Sequence, residues 1–152
     1  MDSKIYELYS MLDALSVRVE FCDLPDDRDG EYLHDERVIR LQHDLRFRRY
    51  VSALAHECCH AVFGDTPSRF GPVAAKQERR ADEWAALRLI DPHEYRRQES
   101  RHEGHLEAMA IALRVTTDIV EAFRRVLVRI GEEVYVEPKM GTGQWAHRIE
   151  VG

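Results

Sequence analysis

Hydrophobic spacing predicts a helix followed by three short strands in the first part of the chain. Within residues 4–15 the apolar side chains recur at intervals of three and four, the spacing of an amphipathic helix; they are Ile5, Leu8, Met11, Leu12 and Leu15. Apolar and polar residues then alternate over residues 17–22, which is typical of a half-buried strand. Two more strands are predicted at about 31–33 and 37–41, because the intervening residues 34–36 suit a tight turn.

The rest of the chain has the apolar spacing of helices. Candidate helices cover about residues 46–63, 74–90, 92–99, 103–114 and 117–130. Gly64 can end the first of them as a left-handed cap, and Asp91 followed by Pro92 favours a new helix start. Beyond Gly131, alternating valines at 134 and 136 predict one short strand. The pattern predicts an α+β fold, in which a small three-stranded sheet packs on helices.

Composition and charge are typical of one compact domain and exclude several classes of protein. The 152 residues are 44% apolar and 33% charged, which provides enough apolar side chains to close a single core. The net charge of −6 excludes a broad basic surface for nucleic acid, and no apolar run approaches the roughly 18 residues of a membrane span. Cys22, Cys58 and Cys59 lack the spacing of a disulfide framework. We therefore expect a cytoplasmic protein with no membrane partner and no nucleic-acid partner.

Residues 56–60 read His-Glu-Cys-Cys-His, an H-E-x-x-H pattern on a predicted helix. Composition alone would supply about 0.04 matches to this pattern in a chain of this length. Histidines four residues apart project from one face of a helix, where they can share a zinc ion. The apolar stripe of the same helix lies on the opposite face and comprises Phe47, Val51, Leu54, Cys58 and Val62. His56 and His60 are therefore predicted metal ligands, and Cys58 and Cys59 are predicted packing residues.

A third ligand is predicted on the following helix, because a catalytic zinc takes three protein ligands and keeps one position open. Glu78 and Asp82 lie one turn apart and share a face with the residues Ala74, Ala81, Ala85 and Leu89. Glu83 lies on the charged face of that helix. We assign Glu78 as the third ligand and Asp82 as the acceptor for the free N–H of a ligating histidine. The two carboxylates can also exchange these roles, or pair with arginines on a solvated face.

These motifs resemble the ImmA/IrrE family of metallopeptidases. The resemblance covers roughly residues 17–92 and rests on His56-Glu57-x-x-His60, Glu78-x-x-Ala81-Asp82-x-Trp84-Ala85-Ala86 and Leu89-Ile90-Asp91-Pro92. Cys59 stands where such proteins often have Gly, and Asp82 where Asn is frequent, and neither change removes a ligand. The resemblance implies a short form of the family, of the kind common in phages and integrated elements.

The same resemblance implies a fold, a cofactor and a substrate. It implies a minimal zincin-like fold, a Zn²⁺ ion bound by His56, His60 and Glu78, and intracellular cleavage of a repressor-type transcription factor. We accordingly expect residues 1–92 to form the zincin-like core. Residues 93–152 are expected to form a C-terminal helical extension and tail packed on the same domain.

Glu57 is the predicted catalytic residue, because a carboxylate beside the zinc can take a proton from the attacking water and pass it to the leaving amine. The hairpin over residues 31–41 can offer a sheet edge to an extended substrate, although plain core sheet is an equal alternative. The sequence does not choose between the candidate oxyanion donors Tyr32, His93, Tyr95, His102 and His105. These features together predict a zinc endopeptidase acting on an intracellular regulatory protein, namely a helix-turn-helix repressor.

Two alternative functions also follow from the sequence. Apolar residues around 106–123 resemble a degenerate helix-turn-helix, with added positive charge from Arg114, Arg124, Arg125 and Arg129. The same helical pair is equally typical of a bundle that closes the core. The other alternative is a zinc-containing anti-repressor that binds its target without cutting it. Glu57 argues against this alternative, since a purely structural zinc site needs no general base.

Overall fold

The computed structural model describes residues 2–25 and 27–136, with side chains as far as residue 131. Its helices and strands are, in chain order, α1 (Ser3–Ala14), β1 (Arg18–Cys22), β2 (Gly30–Leu33), β3 (Val38–Gln42), α2 (Phe47–Phe63), α3 (Gly71–Leu89), α4 (Pro92–Arg101), α5 (Leu106–Leu113) and α6 (Thr117–Val136). A three-stranded sheet and six helices make up the described residues, which confirms the predicted α+β, minimal zincin-like fold.

The sheet has the order β1-β3-β2, so the last strand in sequence lies in the middle. β3 runs parallel to β1 and antiparallel to β2, and its register places Arg40 opposite both Glu20 and Glu31. Arg40 forms ion pairs of 3.6 Å with each of these carboxylates on the outer face of the sheet. Successive side chains of a strand point to opposite faces, and Ile39 and Leu41 accordingly lie fully buried on the inner face.

The core is one continuous cluster between the inner face of the sheet and the helices. It includes Leu8 of α1, Ile39 of β3, Leu54 of α2, Tyr95 of α4 and Phe123 of α6. α2 contacts β2 and β3 on one side and α3 on the other, and α3 also packs on α6. The inner face of the sheet and the helices α2 and α3 therefore share one buried core with α4, α5 and α6. The predicted division of the chain at residue 92 stays a prediction.

α2 ends as its sequence predicts. Gly64 has a φ of +64°, and the backbone N–H groups of Gly64 and Asp65 donate to the carbonyls of Ala61 and His60. This pair of bonds satisfies carbonyls that the end of the helix leaves without partners. The expected apolar stripe is wrong at its last member, because Val62 is exposed and Ala61 takes the buried position.

The strand expected at residues 134–136 is wrong, because α6 continues as helix to Val136. A Cβ added at Gly131 would have no atom within 4 Å, so this glycine marks neither a turn nor a close approach. A helix satisfies its backbone groups locally, whereas two alternating valines would need a strand partner. Residues 137–152, which include most of the predicted tail, lie outside the described residues.

The segment that resembles a helix-turn-helix forms α5 and α6 and packs into the core. Met109, Val115 and Phe123 are buried there. The four arginines of this segment contact the protein itself. Arg114 stacks on Phe47, Arg124 donates to Tyr95 and to the carbonyl of Gly104, and Arg125 and Arg129 both donate to Glu83. Arg125 and Arg129 are thus paired with an acidic side chain of the protein itself, and the DNA-binding alternative stays a prediction.

Among the described residues, no helix has both the length and the apolar character needed to cross a membrane.

Candidate metal centre

Three side chains from two helices bring their donor atoms to one point. His56 and His60 lie one turn apart on α2, and Glu78 comes from the first half of α3. Nε2 of His56 lies 2.6 Å from Oε2 of Glu78 and 3.2 Å from Nε2 of His60, and the His60–Glu78 distance is 3.5 Å. The three donor atoms thus lie within 4.8 Å of one another, as shared coordination of a metal ion requires.

This donor set fits a zinc ion. Zinc bonds of roughly 2.0 to 2.2 Å in a tetrahedron separate neighbouring donor atoms by about 3.4 Å. Two of the three separations, at 3.2 and 3.5 Å, already match this value, and only the 2.6 Å pair would have to open. Two imidazoles and one carboxylate are also an established ligand set for zinc in hydrolytic enzymes, with a fourth position left open.

The second ring nitrogen of each histidine contacts a carboxylate. Nδ1 of His56 lies 2.7 Å from Oδ1 of Asp82, and Nδ1 of His60 lies 2.8 Å from Oδ2 of Asp65. A carboxylate can only accept, so each Nδ1 carries the proton that it donates. Each Nε2 faces the donor cluster, where a metal ion would take the place of the contact between His56 and Glu78. Asp82 was predicted to make this kind of contact, whereas Asp65 was not predicted.

Charge in the centre favours a cation. Burial disfavours the charged form of His56, but its hydrogen bonds with Asp82 and Glu78 and the charge of Glu57 outweigh burial and raise its pKa to about 10. Hydrogen bonds from His56 and His60 lower the pKa of Glu78 far below its usual range, against an opposing effect of burial. The carboxylates around the two imidazoles therefore stabilise positive charge at this point. A divalent cation supplies that charge while the imidazoles stay neutral.

Asp65 is an ionised carboxylate in a largely buried position. Burial raises the pKa of Asp65, but hydrogen bonds from Arg80 and His60 outweigh this effect and hold its pKa below the usual range. Only 11% of its side chain is exposed. The charge of Asp65 is therefore compensated on two sides, by the guanidinium of Arg80 and by the ring N–H of His60.

Glu57 follows His56 on α2 and is 7% exposed. Burial raises the pKa of Glu57, and the positive charge of His56 and His60 opposes this effect only in part. A raised pKa brings a carboxylate nearer to the pH at which a general base works best. A Cβ added at Gly30 of β2 would lie 3.1 Å from Cγ of Glu57, so the strand passes directly against this side chain. Gly30 was not among the predicted site residues.

The exposure of Glu78 and of Glu83 differs from what their helix faces predict. Glu78 does not lie buried among alanines, because 61% of its side chain is exposed at the open side of the centre. Glu83 is not on a solvated face, since only 14% of its side chain is exposed and it accepts hydrogen bonds from Arg125 and Arg129 of α6. The reason for the burial of Glu83 is packing, because α6 covers the side of α3 that composition alone marks as polar.

The donor atoms face a cleft of about 630 Å³ between the sheet and the helices. β2 forms one wall through Gly30, Glu31 and Tyr32, and residues 65–68 after α2 also contribute to the lining. β2 pairs only with β3, so its other edge has no strand partner among the residues that the structure describes. The cleft therefore combines the metal ligands with an open strand edge.

One of the five candidate oxyanion donors lines this cleft. It is Tyr32, whose hydroxyl lies 2.8 Å from Nδ1 of His34. Tyr95 is buried elsewhere, where its hydroxyl contacts Glu99 and Arg124. The remaining three are not part of the cleft lining: His93 belongs to α4, His102 directly follows α4 and His105 directly precedes α5.

Cys58 and Cys59 are buried, unpaired thiols, as their positions on α2 predict. Burial raises the pKa of Cys58 to about 12 and that of Cys59 to about 11. Both side chains therefore stay protonated at neutral pH and are poor zinc ligands, because the thiolate is the form that binds metals.

Of the two site residues that were not predicted, Asp65 had a local signal in the sequence and Gly30 had none. Asp65 directly follows the helix-ending Gly64, and a left-handed cap turns the next residue back toward the preceding turn, which contains His60. The position of Gly30 against Glu57 had no local signal, because 27 positions separate these residues in the sequence.

Comparison with known proteins agrees with this geometry. A family model described as Peptidase_M78, the IrrE N-terminal-like domain, matches residues 12–123. The match extends beyond the motifs of residues 17–92 into α4, α5 and the first part of α6. Comparison with curated proteins and with solved structures finds no match. The fold, the cluster of three metal-binding side chains and the family match together identify the chain as a member of the ImmA/IrrE family of metallopeptidases.

Proposed function

We propose that the protein is a zinc-dependent endopeptidase that cleaves an intracellular regulatory protein, namely a helix-turn-helix repressor. The observation that carries the catalytic part is the convergence of His56, His60 and Glu78 at a cleft, with the carboxylate of Glu57 beside them. A structural metal site would close its coordination with four protein ligands, whereas three described donors and an open cleft favour a catalytic site.

In this proposal His56, His60 and Glu78 hold the metal, and Asp82 orients His56 by accepting its Nδ1–H. A zinc ion held there would supply Lewis-acid chemistry, lowering the pKa of bound water and polarising the scissile carbonyl. Glu57 acts as the general base that accepts a proton from the attacking water and delivers it to the leaving amine. Its burial keeps the carboxylate away from bulk water and supports this role.

The substrate binds as an extended segment along β2. The open edge of this strand offers unpaired backbone groups, and a peptide can pair with them as an added strand. Gly30, Glu31 and Tyr32 lie on the same cleft as the metal ligands, so a peptide paired there runs past the reactive centre. The tyrosine hydroxyl is the candidate donor to the developing oxyanion.

Support for a repressor as substrate comes from the resemblance to the ImmA/IrrE family, which also implies a cytoplasmic site of action. The test is co-expression of the protein with the helix-turn-helix repressor encoded beside its gene, followed by mass spectrometry of the repressor. We expect two fragments of the repressor with the wild type. We expect intact repressor with Glu57→Gln, and that variant should bind zinc and fold normally.

Glu107→Gln is the matched control, because Glu107 is exposed and lies on α5 away from the cleft. It should leave cleavage unchanged. An intact repressor beside the wild type would refute the proposed substrate. A Glu57→Gln variant that relieves repression fully without cutting would favour the non-catalytic anti-repressor, and salt-sensitive retention on DNA would favour a DNA-binding regulator.

A further inference from the structure

Asp65 and Arg80 form an ion pair beside His60 that the catalytic proposal does not use. Oδ2 of Asp65 lies 2.8 Å from Nδ1 of His60 and also accepts a hydrogen bond from the guanidinium of Arg80. One carboxylate oxygen is thus shared between a histidine of α2 and an arginine of α3. Asp82 provides a similar contact to His56, so both histidines have a carboxylate behind the ring.

The end of α2 holds Asp65 in this position. Gly64 takes a left-handed conformation, with φ at +64°, and the N–H of Asp65 then donates to the carbonyl of His60 at 2.9 Å. The chain therefore turns back over the last turn of the helix, and the Asp65 side chain reaches the ring of His60 from the side opposite the donor cluster.

Arg80 ties the same carboxylate to the helix that carries Glu78. Arg80 lies two residues beyond Glu78 on α3, and its guanidinium stacks over the ring of Phe63 at 4.1 Å. The stacking and the Asp65 contact fix the guanidinium from two directions. Asp65 therefore has one partner on the ligand helix and one partner on the ligand itself, which joins the two halves of the metal centre.

We propose that Asp65 is a positioning residue for His60, that it fixes the ring with Nδ1 protonated and Nε2 free for the metal, and that Arg80 holds it there. This inference rests on the proposed zinc site. It adds that zinc affinity depends on a residue outside the three ligands and outside the H-E-x-x-H motif. A carboxylate behind a ligating histidine also makes that histidine a stronger ligand.

Zinc affinity, measured by competition with a chromogenic chelator, tests this role without requiring a substrate. Asp65→Ala should weaken zinc binding by a factor on the order of 10 to 100, the usual effect of losing such a partner. Asp65→Asn keeps an oxygen acceptor of the same size and should recover much of the affinity. Asp118→Asn is the matched control, because Asp118 is an exposed carboxylate that borders the cleft without contacting the histidines. The zinc affinity of this variant should equal that of the wild type.

Arg80 should act through Asp65 and not independently. Arg80→Met is expected to weaken zinc binding in the same direction but by a smaller factor, because Asp65 keeps its contact with His60. The double variant Asp65→Ala/Arg80→Met should be no weaker than Asp65→Ala alone. Full additivity of the two single effects would overturn the assignment of Arg80.

A second readout separates positioning from general destabilisation. In the zinc-loaded wild type, the Nδ1–H protons of both His56 and His60 should be visible by ¹H–¹⁵N NMR, because carboxylates protect them from exchange. Asp65→Ala should remove the His60 signal and leave the His56 signal. Unchanged zinc affinity in Asp65→Ala, or retention of its His60 signal, would overturn this inference alone, whereas a wild type that takes up no zinc would overturn the proposed function as well.

Discussion

Alanine in place of Gly30 should slow peptide hydrolysis without releasing the metal. The added Cβ would lie 3.1 Å from Cγ of Glu57, 2.9 Å from Cδ2 of Leu41 and 3.3 Å from the carbonyl of Arg40. Leu41 is fully buried and the carbonyl belongs to the central strand, so neither can retreat freely. Glu57, which borders the cleft, is the neighbour that can move.

The expected magnitude follows from these contacts. Carbon atoms rest at about 3.5 to 4.0 Å, so Glu57 must shift by roughly half an ångström. Displacing a catalytic group by about 1 Å can lower the rate by about 10²-fold. A displacement of Glu57 by about half that distance should therefore lower kcat by about 10-fold. Overpacking costs about 1 to 3 kcal/mol, partly offset by about 0.5 to 1 kcal/mol from replacing glycine in a strand. The net cost is therefore about 0 to 2.5 kcal/mol, which lowers Tm by at most about 10 °C.

The assay compares three proteins for repressor cleavage, zinc affinity and Tm. Gly71→Ala is the control, because a Cβ added at Gly71 would have no atom within 4 Å. It should match the wild type in cleavage and zinc affinity, and its Tm should not fall, since alanine favours a helix over glycine. Gly30→Ala should retain zinc affinity and lose cleavage rate. Wild-type kcat together with wild-type Tm would refute the contact between β2 and Glu57, and loss of zinc in proportion to loss of rate would refute an effect through Glu57.

Three further predictions follow from the same structure. Glu78→Gln should weaken zinc retention, measured by chelator competition, by at least about 10-fold, whereas Asp118→Asn should leave it unchanged; equal effects would mean that Glu78 is not a ligand. Gly131→Ala should raise the free energy of unfolding by about 0.5 to 1 kcal/mol in urea, because Gly131 lies within α6, and a loss of stability would argue against a continuous helix there. Burial raises the pKa of Glu83, but hydrogen bonds from Arg129 and Arg125 outweigh burial and hold the pKa below its usual value of 4.5. The stability that the ionised carboxylate contributes is therefore present above pH 4.5 and is lost as the pH falls through the lowered pKa. Glu83→Gln should therefore be less stable than the wild type at pH 7 by thermal unfolding and nearly equal at strongly acidic pH.

The order of elements was largely readable from local patterns. The amphipathic spacing of α1, the alternation in β1 and the cap at Gly64 each depend on residues within one or two turns of one another. Such patterns failed where local evidence was short. Two valines after a glycine predicted a strand at 134–136, and the helix continued because its hydrogen bonds required no distant partner.

The candidate site likewise combines residues that local patterns predicted with a residue that depends on the path of the chain. His56 and His60 were predicted because helix periodicity places residues four apart on one face, and Glu57 was predicted from its place in the H-E-x-x-H motif. Glu78 was chosen by residue type and face, and the structure brings its Oε2 to 2.6 Å from His56. Asp65 was missed because its contact depends on how the chain turns after α2.

The sequence by itself determined the helix that carries H-E-x-x-H, the presence of three strands and the residue types of the metal centre, because these depend on periodicity and on chemistry within short segments. Tertiary structure decided that β3 lies between β1 and β2, that β2 passes against Glu57 through Gly30, and that α6 covers Glu83. The pairs between β1 and β3 are 20 positions apart, Gly30 and Glu57 are 27 apart, and Glu83 and Arg125 are 42 apart. Their formation depends on how sheet and helices share one buried core, and no local pattern contains that information.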